Sequence, residues 1–413
     1  MLLITAPGLS AWAQGNGVKS GRFRVRPEVS VEGRFDSNLY REDGTEQPTA
    51  VGYMKLLPGL RVENPNPGKV ALEASAVLEL RQYFNDIISE QQDRVGVQLG
   101  AGVELGRGKA VSLRLEEDFS RYLQAGQGMT EVLQKENPGK DLDACASLCS
   151  GTFIRNSTGA SVKIAPGGGK LSLQPRYRFV LTDYSEIDET DSTVHTFGAL
   201  LRWDFFPKTA AVVDARIGLL SYPDAYGDVA DSTPLRVAGG LRGLISNKLS
   251  VDLMGGYGNS MHDSGTSYES FLANAVLTYR MTENLRASAG YARDFAGSPI
   301  SNFYTSDRFL ARLNAQLGGT VNFGANVDVS LRDFGTLPGL AGRADRLVNS
   351  TERTDTLVSA NALLEWRPNE WFSVAGGYRA DVLATDFGAR AGAEENFASF
   401  NAHQVYTRVG FLM

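Results

Sequence analysis

Apolar and polar residues alternate along most of this chain, so its side chains have a period of two. In Val321–Arg332 one face carries Val, Phe, Ala, Val, Val and Leu, and the other carries Asn, Gly, Asn, Asp, Ser and Arg. A period of two is typical of β-strands with one apolar face. The same alternation recurs in Val70–Arg81, Leu171–Thr182, Thr196–Phe205 and Phe372–Val382. The pattern predicts an all-β protein.

The length of these strands favours a membrane barrel over a soluble sandwich. Most span about 10 to 14 residues, whereas a membrane strand needs about 9 to 11 and sandwich strands are usually shorter. Beyond the N-terminus, no apolar run reaches the roughly 18 residues that a membrane helix needs. The mean hydropathy of −0.19 fits a barrel, because alternating strands average out. Any membrane crossing is therefore made by strands.

The predicted connections alternate between tight turns and long polar loops, as in outer-membrane barrels. About eight tight turns and nine long loops give about 18 antiparallel up-and-down strands, with 16 as the alternative, and place both ends in the periplasm. Ala125–Phe153 is the longest loop. The tight turns are Asn64–Gly68, Gly106–Gly108, Pro166–Gly169, Pro207-Lys208, Ser246–Lys248, Thr282–Asn284, Gly318–Thr320 and Pro368–Glu370.

The N-terminus predicts an export signal followed by a single domain. Residues 1–13 combine an apolar start at Leu2–Ala6 with the small-x-small site Ala11–Ala13, although a basic residue before the apolar segment is missing. We therefore predict a signal peptide that is either trimmed or assigned a start site too late in the sequence; a short buried strand is the alternative. Residues 14–413 form the predicted barrel. Its first strand begins near Arg22, which leaves no room for a plug domain.

The C-terminus predicts a closing membrane strand. Val405, Thr407, Val409, Phe411 and Met413 share one face up to the last residue. Outer-membrane barrels commonly end in such a strand, usually closing on Phe, and the barrel assembly machinery recognises it. We therefore expect the cell outer membrane as the location, with outer-membrane lipid and that machinery as partners.

The polar faces of the strands carry charges of both signs. Arg or Lys facing lipid at the bilayer midplane costs about 2–4 kcal/mol, so these residues belong inside the barrel. About 18 strands leave an aqueous lumen, which predicts a hydrated pore; the alternative is a wall of paired charges that only stiffens the barrel. The predicted pore-lining residues are Arg24, Arg26, Glu28, Arg114, Glu116, Asp118, Arg176, Arg178, Arg202, Asp204, Asp214, Arg216, Arg236, Arg242, Arg308, Arg312, Asp328, Arg379 and Asp381.

One residue breaks the alternation. In Val111–Phe119 the apolar face runs through Val111, Leu113 and Leu115 and then reaches Glu117. Glu117 faces lipid unless a bulge or the barrel rim intervenes.

Candidate chemistry outside the wall is sparse. Cys145 and Cys149 lie in the longest predicted loop, and export favours a disulfide between them over a metal site, since no His is nearby. His262-Asp263-Ser264 contains hydrolase residue types, but the members of a triad meet in space rather than in sequence. We predict no enzyme activity and no cofactor. The net charge of −6 argues against nucleic acid as a partner.

The stretch Arg24–Tyr40 reads RVRPEVSVEGRFDSNLY. It resembles the opening of a β-barrel family found in bacterial exopolysaccharide gene clusters, which includes the myxobacterial polysaccharide-export porins. The resemblance implies an outer-membrane conduit for secreted polysaccharide that works with a periplasmic export protein. A general diffusion porin and a structural or adhesive barrel with a closed lumen are the alternatives.

Overall fold

The structure, a computed structural model, describes residues 17–39, 48–64, 68–85, 94–122, 153–167, 169–184, 191–223, 230–298, 301–334, 347–348, 352–391, 394–397 and 399–412. Its strands are β1 (Val18–Ser20), β2 (Phe23–Asp36), β3 (Val51–Glu63), β4 (Val70–Tyr83), β5 (Val95–Leu105), β6 (Val111–Tyr122), β7 (Phe153–Ile164), β8 (Leu171–Tyr184), β9 (Ser192–Phe206), β10 (Thr209–Ser221), β11 (Leu235–Leu244), β12 (Leu249–Asn259), β13 (Glu269–Arg280), β14 (Leu285–Gly297), β15 (Phe303–Leu317), β16 (Val321–Asp333), β17 (Leu347–Val348), β18 (Thr354–Trp366), β19 (Phe372–Thr385), β20 (Gly388–Ala391), β21 (Glu394–Phe397) and β22 (Phe400–Leu412).

Eighteen of these strands form a closed antiparallel barrel, which confirms the predicted fold and strand number. The barrel strands are β2–β16, β18, β19 and β22, and consecutive strands pair with each other. The ring closes where β22 pairs with β2, with Phe411 opposite Val29 and Val405 opposite Phe35. The short strand β1 adds to β2, and β17, β20 and β21 form a separate small sheet. None of the described residues forms a helix long and apolar enough to span a membrane.

The tight turns all lie at one end of the barrel and the long connections at the other. The first residue of β2 and the last of β22 lie at the tight-turn end, because the number of barrel strands is even. The β15–β16 turn shows why glycine marks these positions. Gly318 and Gly319 have φ angles of 57° and 76°, in the left-handed region that residues with a Cβ rarely adopt.

The barrel is apolar on the outside and polar on the inside. Large apolar side chains such as Phe197, Leu201 and Trp203 are exposed, while Ser30, Glu32 and other polar residues of the opposite face are buried. A soluble domain shows the reverse distribution, since burying apolar surface drives its folding. An outer surface of this kind suits a hydrocarbon environment.

Candidate functional site: the inner wall

Every predicted pore-lining residue lies on a barrel strand, on the face opposite to the exposed apolar side chains. In β6, for example, Arg114 and Glu116 alternate with the exposed apolar residues Val111 and Leu115. Cross-strand register keeps this face continuous, because Arg114 lies opposite Ser161 and Ser161 lies opposite Arg176. The predicted residues therefore share one continuous surface.

Ion pairs that skip a strand identify this surface as the concave one. Arg114 on β6 reaches Glu73 on β4, with 3.0 Å between Nη2 and Oε1, although β5 lies between them. The intervening position is Gly102, where an added Cβ would lie 2.8 Å from Glu73 Oε1. Side chains converge on the inside of a curved sheet, and the glycine provides the room for them to meet. Arg176 on β8 pairs with Asp214 on β10 in the same way, across Gly198.

The inner wall thus carries connected ion pairs. Glu116 joins Arg114 to Arg178, and Asp214 joins Arg176 to Arg216. The predicted pore-lining set did not include the partners Glu63, Glu73, Asp252 and Asp294. Their signal was present, since each lies on the polar face of its strand. Further inner pairs are Arg26–Glu63, Arg202–Asp204, Arg236–Asp294, Arg242–Asp252, Arg308–Asp328 and Arg379–Asp381.

The charged side chains of the inner wall are exposed to water on some strands and buried on others. On β4 and β6 the side chains of Glu73 and Arg114 remain 62% and 44% exposed. On β18 and β19, near the long-loop end, Asp355 and Asp381 are at most 1% exposed. Pairs bathed in water contribute at most about 1 kcal/mol each to stability, so the first group is poorly explained as a stabilising device.

Apolar side chains fill part of the interior at the long-loop end. Leu357, Leu383, Phe400 and Ala402 form a buried cluster on the inner face where β18, β19 and β22 meet. A second buried cluster combines Val51, Tyr53 and Tyr83 of β3 and β4 with Leu39 of the preceding loop. Alternation along the strands did not predict this packing, because it assigns polar residues to the inner face throughout. The interior is therefore narrowed towards the long loops.

The motif that carries the family resemblance lies at the seam where the barrel closes. Gln404 of β22 donates a hydrogen bond to Asp36 Oδ2 at 2.7 Å, and the backbone N–H of Asn38 donates to Asp36 Oδ1 at 3.0 Å. The Asn38 amide donates to the carbonyl of Asn401, and the Ser37 hydroxyl accepts from His403 N–H. Phe35–Asn38 therefore locks β2 to β22, which is a structural role.

Three of the long loops are joined through Asn302, which is 3% exposed. Its amide nitrogen donates to the carbonyls of Ser264 at 2.8 Å and Thr266 at 3.2 Å, and its Oδ1 accepts from Ala230 N–H at 3.2 Å. These contacts tie the β10–β11, β12–β13 and β14–β15 loops together at the mouth of the barrel.

His262 completes this loop junction in its neutral form. The carbonyl of Asn302 can only accept, so His262 Nε2 carries the proton of their 2.8 Å hydrogen bond. Nδ1 is then free to accept from the Ser260 hydroxyl at 2.9 Å. Burial lowers the pKa of His262 from its ordinary 6.5, and the Asn302 carbonyl offsets this only in part. The ring does not contact Ser264 through either nitrogen, so the sequence His262-Asp263-Ser264 does not form a triad here.

Acidification should loosen the loop junction. Because the pKa of His262 is lower in the closed loops than in opened ones, its stabilising contribution is complete above about pH 6.5 and is lost as the pH falls through the lowered pKa. We expect hydrogen exchange of the Tyr268 amide, corrected for its intrinsic pH dependence, to be faster at about pH 5 than at pH 7.5, by about tenfold per unit of pKa shift. His262→Gln should remove this pH dependence. A variant that keeps the full dependence would exclude His262 as its source.

Other chemistry has little support among the described residues. No group of three or more His, Cys, Asp or Glu side chains there could hold a metal ion. His195 and His403 accept or donate at 2.9 Å and 2.8 Å to the hydroxyls of Tyr177 and Tyr378, on the outer face of the barrel. Cys145, Cys149 and the predicted signal segment 1–13 lie outside the described residues, so the disulfide and the signal peptide stay predictions.

Several solved porin structures resemble this barrel weakly. Acinetobacter baumannii OccAB4 aligns over 94% of this chain and 98% of its own, with a TM-score of 0.49 and 10% identity. Pseudomonas aeruginosa OpdQ aligns over 96% and 99%, with a TM-score of 0.47 and 10% identity. Pseudomonas aeruginosa OccK3 (OpdO) aligns over 94% and 95%, with a TM-score of 0.45 and 11% identity. Similarities of this size say nothing about what the present barrel transports.

A comparison with curated proteins gives no match. A comparison with protein families gives one match, which extends over nearly the whole chain, from before β1 to within β22. The family described as putative beta-barrel porin 2 matches residues 13–406, and this chain therefore belongs to that family of outer-membrane β-barrels.

Proposed function

We propose that this barrel is the outer-membrane conduit through which a secreted exopolysaccharide leaves the cell. The observation that carries the proposal is a row of polar residues across the inner wall. Thr278, Ser288, Arg312, Asn326 and Asn361 are each the register partner of the next, on five successive barrel strands. Hydroxyls and amides both donate and accept hydrogen bonds, as the hydroxyl groups of sugars do.

Such a row suits a moving polymer. Transport requires binding that is favourable enough for entry and weak enough for release. A shallow line of hydrogen-bonding groups meets that requirement because it repeats without enclosing any single sugar. The resemblance at Arg24–Tyr40 supports the same substrate, and a periplasmic polysaccharide-export protein is the partner that we propose on the tight-turn side.

A deletion strain tests the proposal against its alternatives. We expect loss of cell-surface polysaccharide and unchanged uptake of small nutrients. Impaired nutrient uptake with normal surface polysaccharide would instead support a diffusion porin, and a weakened envelope with both processes intact would support a structural barrel.

Matched variants test whether export depends on the lumen. Gly324 faces inward, and an added Cβ would have only Asn314 Oδ1 near it, at 3.6 Å. Gly376 faces outward, and a Cβ there would meet nothing within 4 Å. In the complemented deletion strain, Gly324→Trp should reduce surface polysaccharide while Gly376→Trp restores it. Equal restoration by both variants at equal abundance would argue against passage through the lumen.

A further inference from the structure

Two arginines face each other across the β13–β14 hairpin. Arg280 ends β13, Arg286 is the second residue of β14, and the two are register partners. Both follow the parity of Thr278 and Ser288, whose hydroxyls lie 2.9 Å apart on the inner face. Like charges directly opposite each other destabilise a sheet. The pairing of Arg280 with Arg286 therefore destabilises the hairpin unless a negatively charged group lies close to both.

A third arginine continues the row on the next strand. Arg312 of β15 lies opposite Ser288, and Arg286 lies opposite Asn314, so Arg286 and Arg312 are diagonal neighbours. Arg280, Arg286 and Arg312, here called the arginine group, are all exposed. Within the part of the chain that the structure describes, none of the three guanidinium groups has an ion-pair or hydrogen-bond partner.

Several other arginines of the inner wall do pair with carboxylates. On β15 itself Arg308 pairs with Asp328 of β16, and Arg236 of β11 pairs with Asp294 of β14. The register partners of Arg286 and Arg312 on β14, β15 and β16 are instead neutral, namely Ser288, Asn314 and Asn326. The arginine group also occupies the half of the wall nearest the tight turns, where the predicted topology places the periplasm. A negatively charged ligand entering from that side would meet these guanidinium groups in the first half of its path.

We infer that the arginine group binds the anionic groups of an acidic polysaccharide as the polymer enters the barrel. The inference rests on the proposed export function and adds the substrate class to it. A guanidinium binds a carboxylate through two parallel hydrogen bonds, and three such groups spaced over three strands can each hold a different sugar unit. The flanking asparagines and serine then contact the sugar hydroxyls.

The test uses full-length protein in detergent micelles at low salt, with a fluorescent oligogalacturonate as the probe. Its affinity should exceed that of a neutral maltooligosaccharide of equal length by at least about tenfold, and should fall as salt screens the charges. R280Q/R286Q/R312Q should lose this preference. R280K/R286K/R312K should keep the salt dependence but bind more weakly, because lysine cannot form the two-pronged contact.

A charge-matched control separates the arginine group from general basicity. R107Q/K109Q/K208Q removes the same charge from exposed positions in two other tight turns and should bind as the parent does. Equal affinity for the charged and neutral probes, or equal losses in the two triple variants, would overturn the inference. Heat-modifiable migration on gels checks that each variant is folded. If R280Q/R286Q/R312Q does not fold, the single variant Arg312→Gln replaces it in the binding measurement. The binding result stands apart from the deletion strain, so failure of the export function and failure of the arginine group are distinguishable.

Discussion

Arg353→Met should lower the free energy of unfolding by about 3–5 kcal/mol, the cost of leaving one member of a buried ion pair alone. The side chains of Arg353 and Asp355 are both 0% exposed. Two parallel hydrogen bonds of 2.8 Å join them, from Arg353 Nε and Nη2 to the two carboxylate oxygens. The guanidinium also lies over the rings of Phe334 and Phe387, at 4.8 Å and 5.0 Å from their centroids. Removing the cation leaves the buried carboxylate of Asp355 without both of these hydrogen bonds.

The measurement is urea-induced unfolding of the barrel in lipid vesicles. R353M/D355L should recover much of the loss, because a buried ion pair replaced by apolar residues of similar volume is often tolerated. Arg202→Met is the matched control, since Arg202 pairs with Asp204 in the same two-residue spacing but its side chain is 39% exposed. Its expected cost is below about 1 kcal/mol. Similar losses at both positions would show that burial does not set the strength of these pairs.

The strand framework was predictable from the sequence because two local signals repeat around the whole ring. Alternation predicts each strand, and glycine, proline or asparagine marks each tight turn. The first barrel strand, expected near Arg22–Phe35, spans Phe23–Asp36, and the last one ends within a residue of the C-terminus as expected. Both signals depend on neighbouring residues only, so closure of the barrel does not alter them.

The contacts within the wall were not predictable in the same way. The pair Arg176–Asp214 depends on the curvature of the sheet and on Gly198 of the strand between them, and neither is visible in the spacing of two charges. The hydrogen bond from Gln404 to Asp36 joins residues 368 positions apart. The apolar cluster around Phe400 interrupts a polar face, so the rule of alternation itself gave the opposite expectation there.

Glu117 interrupts the apolar face of β6 in the sequence, and the structure places it on that face. Pairing of β6 with β5 and β7 runs without a register shift around Glu117, so no bulge turns its side chain inward. It shares the outer face with the exposed Leu115. Its Oε2 accepts a hydrogen bond of 2.5 Å from the hydroxyl of Thr158, the residue opposite it on β7. The carboxylate therefore has one polar partner on a face that otherwise meets lipid.

Glu117→Leu should raise the free energy of unfolding by about 1–2 kcal/mol, because an acidic side chain on the lipid face costs somewhat less than a basic one. The adjacent residue provides the control. Glu116 faces inward and contacts both Arg114 and Arg178, so Glu116→Leu should lower stability by about 1 kcal/mol. Unfolding both variants by urea in the same vesicles compares the two faces of one strand directly. If Glu117→Leu destabilises the barrel instead, the outer face at β6 and β7 does not meet hydrocarbon, and Glu117 and Thr158 must contact a polar partner there.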